Sequence, residues 1–227
     1  MKRIVVLTGA GMSAESGINT FRDADGLWEG HDVMSVASPE GWHQNMELVL
    51  DFYNQRRRQL LQVNPNIAHE LLADLEKTYQ VSIVTQNVDD LHERAGSNHV
   101  LHLHGELLKV RSTQNEQLVY QWEKDLLNGD LCEAGSQLRP HIVWFGEAVP
   151  MLNEAIEITA SADLLLIIGT SMQVYPAASL INYIADTTPV FFIDPKPAIH
   201  ASAYKNLTVI EEKAVSGMKK FIELIPF

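Results

Sequence analysis

Val5-Val6-Leu7-Thr8-Gly9-Ala10-Gly11-Met12-Ser13-Ala14-Glu15-Ser16-Gly17-Ile18-Asn19-Thr20-Phe21-Arg22-Asp23 is an apolar, β-branched run that breaks directly into a loop of small residues. The apolar start, residues 4–7, reads as a strand buried on both faces. Gly9, Ala10, Gly11 and Ala14 then let the backbone approach a ligand, where a following helical turn points its free N–H groups. Arg22 can add a permanent positive charge there. The bare pattern is Gly-x-Gly-x-x-Ala, a dinucleotide fingerprint with Ala in third place. Taken alone, it also fits a tight strand-to-helix turn that binds nothing.

Working outward, strands are expected at 3–7, 81–85, 100–103, 141–145, 164–168, 190–193 and 207–210, and helices at 46–62, 68–79, 89–95, 152–161, 177–185 and 214–224. The strands are mostly continuous apolar runs, and helices between them imply crossover connections and a parallel sheet, an α/β fold. Two stretches break the alternation: a mostly helical one at about 30–79 and a polar one at 110–137. Both are expected to be insertions that form a smaller domain against a sheet built from 1–29, 80–109 and 138–227.

With 227 residues and 46% hydrophobic content, the chain can bury a substantial core. A net charge of −12 argues against a general nucleic-acid binder, which needs a basic footprint. Cys132 is the single cysteine, so no internal disulfide forms, and a cytoplasmic location is expected. Lys2 and Arg3 precede an apolar core of only four residues, too short for a secretory leader. The longest apolar run, 162–169, is far below the ~20 residues a bilayer requires, and no membrane partner is expected.

Three more segments place polar residues just past an apolar strand, where open α/β sheets bind ligands. They are Thr85-Gln86-Asn87-Val88-Asp89-Asp90-Leu91-His92, His104-Gly105-Glu106 and Gly169-Thr170-Ser171. Asn87 can donate and accept and Asp89 accepts, so together they suit an amide and a ribose hydroxyl. The same residues would equally cap the helix at 89–95, and Gly169-Thr170-Ser171 would equally serve a turn. His104, on its own, would more often be structural. Convergence of four strand ends on one crevice is what favours a site.

Together these segments resemble the sirtuins, NAD-dependent protein-lysine deacylases. The resemblance runs through Gly9-Ala10-Gly11-Met12-Ser13, Ser16-Gly17-Ile18, Phe21-Arg22, Thr85-Gln86-Asn87-Val88-Asp89, His104-Gly105, Arg139-Pro140-His141-Ile142-Val143-Trp144-Phe145-Gly146-Glu147, and Gly169-Thr170-Ser171 with Val174 and Pro176-Ala177. It implies a Rossmann-like NAD domain with a smaller helical and zinc-bearing module, the acylated lysine and NAD meeting in the cleft between them. His104 is then the base that takes a proton from a ribose hydroxyl, a task suited to a pKa of about 6.5. By the same resemblance, Gly9, Ala10, Gly11, Ser13 and Arg22 contact phosphates or ribose, and Phe21 shields the ribose carbon from water. Asn87 and Asp89 hold nicotinamide, Gln86, Gly169, Thr170 and Ser171 hold ribose and phosphates, and Asp194 and Ala214 lie near the adenosine. Val143, Phe145, Gly146 and Glu147 match the stretch that pairs with an acyl-lysine peptide as an added strand.

Tyr53 and Arg56 lie three apart on an expected helix and so share a face. A run such as Arg56-Arg57-Arg58 is commonly a solvated basic face. Yet Tyr-x-x-Arg resembles the pair that marks sirtuins removing succinyl and malonyl groups, where a guanidinium and a phenol hold the distal carboxylate. The resemblance fails at the zinc. Sirtuins usually carry two Cys-x-x-Cys pairs, whereas the corresponding positions here are Ser112, Asn115, Cys132 and Gly135. No bound zinc is expected, and Leu118, Tyr120, Trp122, Leu126 and Leu127 are expected to hold 110–137 by packing. His102 and His104 share a strand face, but no acidic or histidine partner at a recognised spacing completes a metal site.

Two other reactions suit the same loop: hydride transfer by an oxidoreductase and mono-ADP-ribosyl transfer. The first needs an acidic residue ending a second strand about 20 residues past the glycines. Asp23 and Asp25 lie too early and follow no strand. A monomer is expected.

Overall fold

The computed structural model describes residues 1–19, 27–197 and 206–225. Phe21 and Arg22, with Asp23 and Asp25, lie outside the described residues. Strand β1 (Arg3–Thr8) leads into two 3-10 turns, Ala10–Met12 and Ala14–Ser16. A small hairpin, β2 (Leu27–Trp28) and β3 (His31–Asp32), is followed by helices α1 (Val33–Val36), α2 (Pro39–Gln44), α3 (Met46–Leu60) and α4 (Ile67–Leu75). Then come β4 (Gln80–Thr85), α5 (Leu91–Arg94), β5 (Val100–His102), β6 (Gly105–Ser112), β7 (Val119–Gln121) and β8 (Leu138–Ile142). The chain continues through α6 (Leu152–Ala160), β9 (Leu164–Ile168), a 3-10 helix (Ala177–Tyr183), β10 (Val190–Ile193), β11 (Leu207–Ile210) and α7 (Ala214–Leu224).

Six strands form a parallel sheet in the order β11-β10-β9-β1-β4-β5. The chain builds outward from β1 through β4 and β5, then returns to the other side of β1 with β9, β10 and β11. The direction therefore reverses between β1 and β9, where open α/β sheets form their ligand crevice. Alternate residues of the strands serve different cores. Ile4, Val6, Leu164, Leu166 and Ile168 pack on the face carrying α4 and α7. Val5, Leu7, Leu165 and Ile167 pack on the other face, with Ala155 of α6 and Leu180. Both faces are covered, which is why these strands are apolar throughout.

A third core lies outside this sheet, beneath α1 to α3 and a three-stranded antiparallel sheet ordered β7-β6-β8. That sheet was not expected. The strand expected at 141–145 is displaced: β8 occupies Leu138–Ile142 in the antiparallel sheet, and Val143 to Glu147 continue past it without joining a strand. Leu126 is fully buried there, and Leu118, Tyr120 and Trp122 pack partly against the core. Leu127, expected to share this packing, is instead exposed. Among the described residues, no helix is long and apolar enough to cross a membrane.

Candidate active site at the carboxyl ends of the parallel strands

The register of the sheet decides the site. Thr8 lies level with Thr85 and Ile168, Ile168 with Ile193, and Thr85 with His102. Five neighbouring strands thus end at one height, so the residues that follow, at Gly9, Gln86, Leu103-His104, Gly169 and Asp194, emerge side by side. Beneath them the Thr8 hydroxyl donates to Thr85 Oγ1 (2.8 Å) and faces His92 Nε2 (3.1 Å), while Thr85 Oγ1 accepts from Asn87 N (3.0 Å). This buried floor was not legible in the sequence, because the hydroxyl of Thr8 and that of Thr85 meet only when β1 and β4 pair in register.

At the switch between β1 and β9 the two loops meet backbone to backbone. Gly11 N donates to Gly169 O (2.8 Å), and a Cβ on Gly11 would stand 2.7 Å from Gly169 Cα. Gly169 sits at φ +65°, where L side chains are strained, and its Cβ would lie 2.3 Å from Met12 N. The fingerprint glycines are therefore needed for the approach of one loop to the other. Gln86 Nε2 donates to the buried Thr170 hydroxyl (3.0 Å), which also accepts from Met172 N (3.2 Å) and so spans from β4 to the β9 loop. Glu15 Oε2 accepts from Val215 N (2.9 Å) beside Ala214, tying the glycine loop to the start of α7. Asp194 is buried at the end of β10, its Oδ1 accepting from Lys196 N (2.8 Å).

Ser13, Asn87 and Asp89 form one connected group. Asn87 Nδ2 donates to Ser13 Oγ (3.2 Å), which donates to Asp89 Oδ2 (2.9 Å), and Asp89 Oδ1 accepts from Leu91 N (3.2 Å). Asp89, one residue ahead of the N-cap Asp90, thus takes up the first N–H of α5 while also joining the Ser13–Asn87 group. Burial pushes its pKa up to about 6 against the opposing hydrogen bonds from Ser13 and Leu91 and the charge of His102. Between about pH 4 and 6 the unfolded chain has released this proton while the folded chain keeps it, so stability falls as pH rises through that window. Asp89→Asn is expected to stabilise the fold by roughly 1–3 kcal/mol at pH 8 and by little at pH 4, at the expense of activity. Urea unfolding of both proteins at the two pH values checks this, and a pH-independent difference would remove the assignment.

His104 is half-buried, and its Nδ1 lies 3.1 Å from Gln86 O. A carbonyl only accepts, so Nδ1 carries the proton and Nε2 is left bare. Burial lowers the His104 pKa despite the Gln86 contact, which keeps the ring neutral. His102, two residues earlier, binds Asn87 O through Nδ1 (3.0 Å) and Glu93 Oε1 through Nε2 (2.8 Å). Burial opposes its charge, yet Glu93 and the Asn87 carbonyl raise its pKa above the ordinary imidazole value. Both histidines thus grip the β4 loop, and among the described residues no group of three metal-ligating side chains occurs.

Residues 9–176 match the Sir2 family. The chain belongs to that family. It is 63% identical over 228 residues to an NAD-dependent protein deacylase of Helicobacter pylori (strain ATCC 700392 / 26695), covering 99% of each. It is 51% identical over 231 residues to an NAD-dependent protein deacylase of Bacteroides thetaiotaomicron, covering 99% of this chain and 98% of that one. Among solved structures, a Sir2 homologue–NAD complex superimposes with a TM-score of 0.87 at 38% identity, over 98% of this chain and 89% of the other.

The resemblance seen in the motifs is therefore membership, and the structure also describes the remaining candidate residues. On α3, Tyr53 is buried, and its hydroxyl accepts from Trp144 Nε1 (2.9 Å). The Arg56 guanidinium lies over the Phe52 ring, 4.8 Å from its centroid, with Nε buried and without a hydrogen-bond partner. Phe52 packs edge-on against Tyr53 at 5.2 Å, so Tyr53 and Arg56 flank one ring. The arginine run is not a uniform solvated face. Arg57 is buried, donating to Leu107 O and Asn54 Oδ1, its pKa lowered by burial to about 10, while Arg58 pairs with Asp125 at 2.6 Å.

The expected peptide stretch is anchored by Glu147. Its carboxylate accepts from both arms of Arg139 (2.6 and 3.1 Å), from Arg111 (3.3 Å) and from Trp144 N (2.8 Å). Arg139 also stacks on the Trp144 ring, 3.3 Å from its centroid, and Trp144 reaches Tyr53. Arg111 was not singled out in the sequence, and Arg139 and Trp144 appeared there only within the resembling run, because their partners are brought in from other strands and from α3. Phe145 and Gly146 are exposed at the tip, and Gly146 turns at φ +90°.

At the zinc-type positions, Ser112 Oγ accepts from Gln114 N (3.2 Å) and Asn115 N (3.3 Å), and the Cys132 thiol donates to Ser112 Oγ (3.5 Å). One sulfur, one hydroxyl, an amide and a glycine do not form a tetrahedral zinc site. The turn is closed by hydrogen bonds.

Proposed function

We propose that this chain is an NAD-dependent protein-lysine deacylase whose preferred acyl groups end in a carboxylate. The observation that supports the reading is the level row of strand ends, from which His104, the Ser13–Asn87–Asp89 group and the glycine loops all emerge. NAD would supply a ribose carbon whose bond to nicotinamide breaks as the acyl oxygen bonds to it; a ribose hydroxyl, its proton taken by His104, would then attack the acyl carbon, and one water would complete release of the lysine amine, so the products are nicotinamide, O-acyl-ADP-ribose and the free lysine. Gly9, Ala10, Gly11, Ser13, Gly169, Thr170 and Ser171 hold the phosphates and ribose, with Asp194 and Ala214 at the adenosine end. Phe21 and Arg22 serve the same loop. Asn87 and Asp89 orient the nicotinamide amide, and Gln86 a ribose hydroxyl. His104 Nε2 accepts the proton of a ribose hydroxyl, its Nδ1–H held by Gln86 O.

The acylated peptide lies along Val143, Phe145 and Gly146, with Glu147 fixing the backbone beneath it. Tyr53 and Arg56 receive the distal carboxylate of a succinyl or malonyl group. The parallel-sheet domain carries NAD, and the smaller domain formed by 30–79 and 110–137 closes the acyl side. The protein works as a monomer in the cytoplasm, on proteins rather than nucleic acids or membranes. Acetyl-, malonyl- and succinyl-lysine peptides incubated with NAD and read by mass test the proposal: nicotinamide release with succinyl turnover above acetyl turnover is expected. Hydride transfer would instead change nicotinamide absorbance and release no nicotinamide.

The enzyme needs no zinc. Protein purified without added metal is expected to contain far less than one zinc per chain, and to keep its activity in a chelator. Stoichiometric zinc by elemental analysis would overturn this.

A further inference from the structure

Four successive carbonyls, from the last residue of β4 onward, are each taken by the segment that begins at the end of β5. Thr85 O accepts from Leu103 N (2.9 Å), Gln86 O faces His104 Nδ1 (3.1 Å), Asn87 O faces His102 Nδ1 (3.0 Å), and Val88 O accepts from Leu107 N (2.8 Å). The sheet ladder thus runs past its last paired residues, with histidine side chains supplying its two middle rungs. The first and last rungs are backbone N–H groups and survive any substitution. The middle two depend on side-chain identity, and they hold the carbonyls of Gln86 and Asn87, between which the chain turns toward the Ser13–Asn87–Asp89 group.

The two rungs differ in protonation. His104 has one acceptor and needs one N–H. Both nitrogens of His102 face groups that can only accept, the Asn87 carbonyl and the Glu93 carboxylate (2.8 Å), so the ring carries both protons. The His102 side chain is 9% exposed and that of Glu93 40%, so the ring itself is sheltered while its carboxylate partner reaches solvent, and the hydrogen bonds are charge-assisted. Facing it are Glu93 and His92 from α5, Asp89 from the β4 loop and Glu106 from β6. Arg111 and His141 line, together with His102, a cavity of about 100 Å³. The positive ring is thus set between the loop that carries Asn87 and the carboxylates around it.

We propose that His102 is a positioning residue for the nicotinamide end of the site, gripping the Asn87 carbonyl and the Glu93 carboxylate at once and thereby fixing where the Asn87 amide points. This rests on the reading of Asn87 and Asp89 as the nicotinamide contacts. Nothing in this role touches substrate; it acts through the backbone of Asn87. It separates His102 from His104, whose ring faces the chemistry.

Two near-isosteres divide the grip. The amide nitrogen of His102→Asn stands where Nδ1 stood and keeps the Asn87 contact, whereas that of His102→Gln stands where Nε2 stood and keeps only Glu93. In the full-length enzyme, His102→Gln is expected to raise the nicotinamide inhibition constant and the KM for NAD about tenfold. His102→Asn is expected to keep both within about twofold, with the KM for acyl-peptide unchanged in each variant. A purely structural role would lower the melting temperature and move the NAD and peptide constants together. Equal behaviour of the two variants overturns the proposal. Asn87→Ala separates the two levels of inference. A raised nicotinamide constant there with His102→Gln unchanged removes the role of His102 alone, whereas an unchanged constant in Asn87→Ala removes the nicotinamide reading and this inference with it.

Discussion

Replacing His104 by alanine is expected to lower kcat for acyl removal by about 10³-fold while nicotinamide inhibition stays within about threefold, the range a general base commands without a binding role. The size follows from the geometry. Gln86 O fixes the Nδ1–H tautomer, so the ring presents a bare nitrogen without paying to reorganise. The sign of the pH dependence follows from the same burial. The working form is neutral imidazole, and burial lowers its pKa, so the acid limb of the rate lies below the ordinary histidine value. Asp89 titrates near 6 and adds a second ionisation to the same limb, its carboxylate being the stronger acceptor. His104→Ala should therefore leave a shallow, single-step acid limb in its residual rate, measurable from pH 5 to 9. A variant that keeps more than a tenth of wild-type kcat would assign the base elsewhere.

Arg56→Met is expected to reduce kcat/KM for succinyl-lysine peptide by roughly 10- to 100-fold, with acetyl-lysine turnover within about threefold. A guanidinium whose Nε is buried without a partner, resting on the Phe52 ring, costs folding free energy that a substrate carboxylate can return. Desolvation lowers the Arg56 pKa, with Glu29 and Asp51 opposing from a distance, and an arriving carboxylate would act in the same sense as they do. Tyr53 adds less. Its oxygen already accepts from Trp144, leaving its own proton for the ligand, and burial raises its pKa so that the phenol stays protonated. Steady-state kinetics on paired acetyl and succinyl peptides decides the matter: if both reactions slow equally, Arg56 supports the fold and does not select the acyl group.

The parallel sheet was legible because burial on both faces leaves strands with no polar alternation, as in Leu164–Ile168 and Val190–Ile193. The sheet β7-β6-β8 was not. β6, Gly105–Ser112, mixes Glu106, Lys109 and Arg111 with its apolar residues, and its pairing spans the polar segment that separates it from β8. The run from Val143 to Phe145 carries strand composition, but Glu147 folds back onto Trp144 N and ends the ladder. In the site, loop positions such as Gly9, Asn87 and His104 stood out because polar or small residues follow apolar strands. His102 did not, since its acidic partner is supplied by Glu93 from a helix nine residues earlier and its other partner is a backbone carbonyl. Side-chain-to-backbone contacts leave no pattern in composition.

The common height of the five strand ends has a consequence for how such a chain can vary. One residue added within β9 would advance its carboxyl end by about 3.3 Å and turn Thr170 to the opposite face, out of reach of Gln86. The same residue added between β7 and β8 would fall in a loop remote from that row and leave it undisturbed. Length is therefore free to drift in the antiparallel sheet's loop and is locked along the row of strand ends, so on the proposed assignment the acyl side can change without disturbing the dinucleotide side.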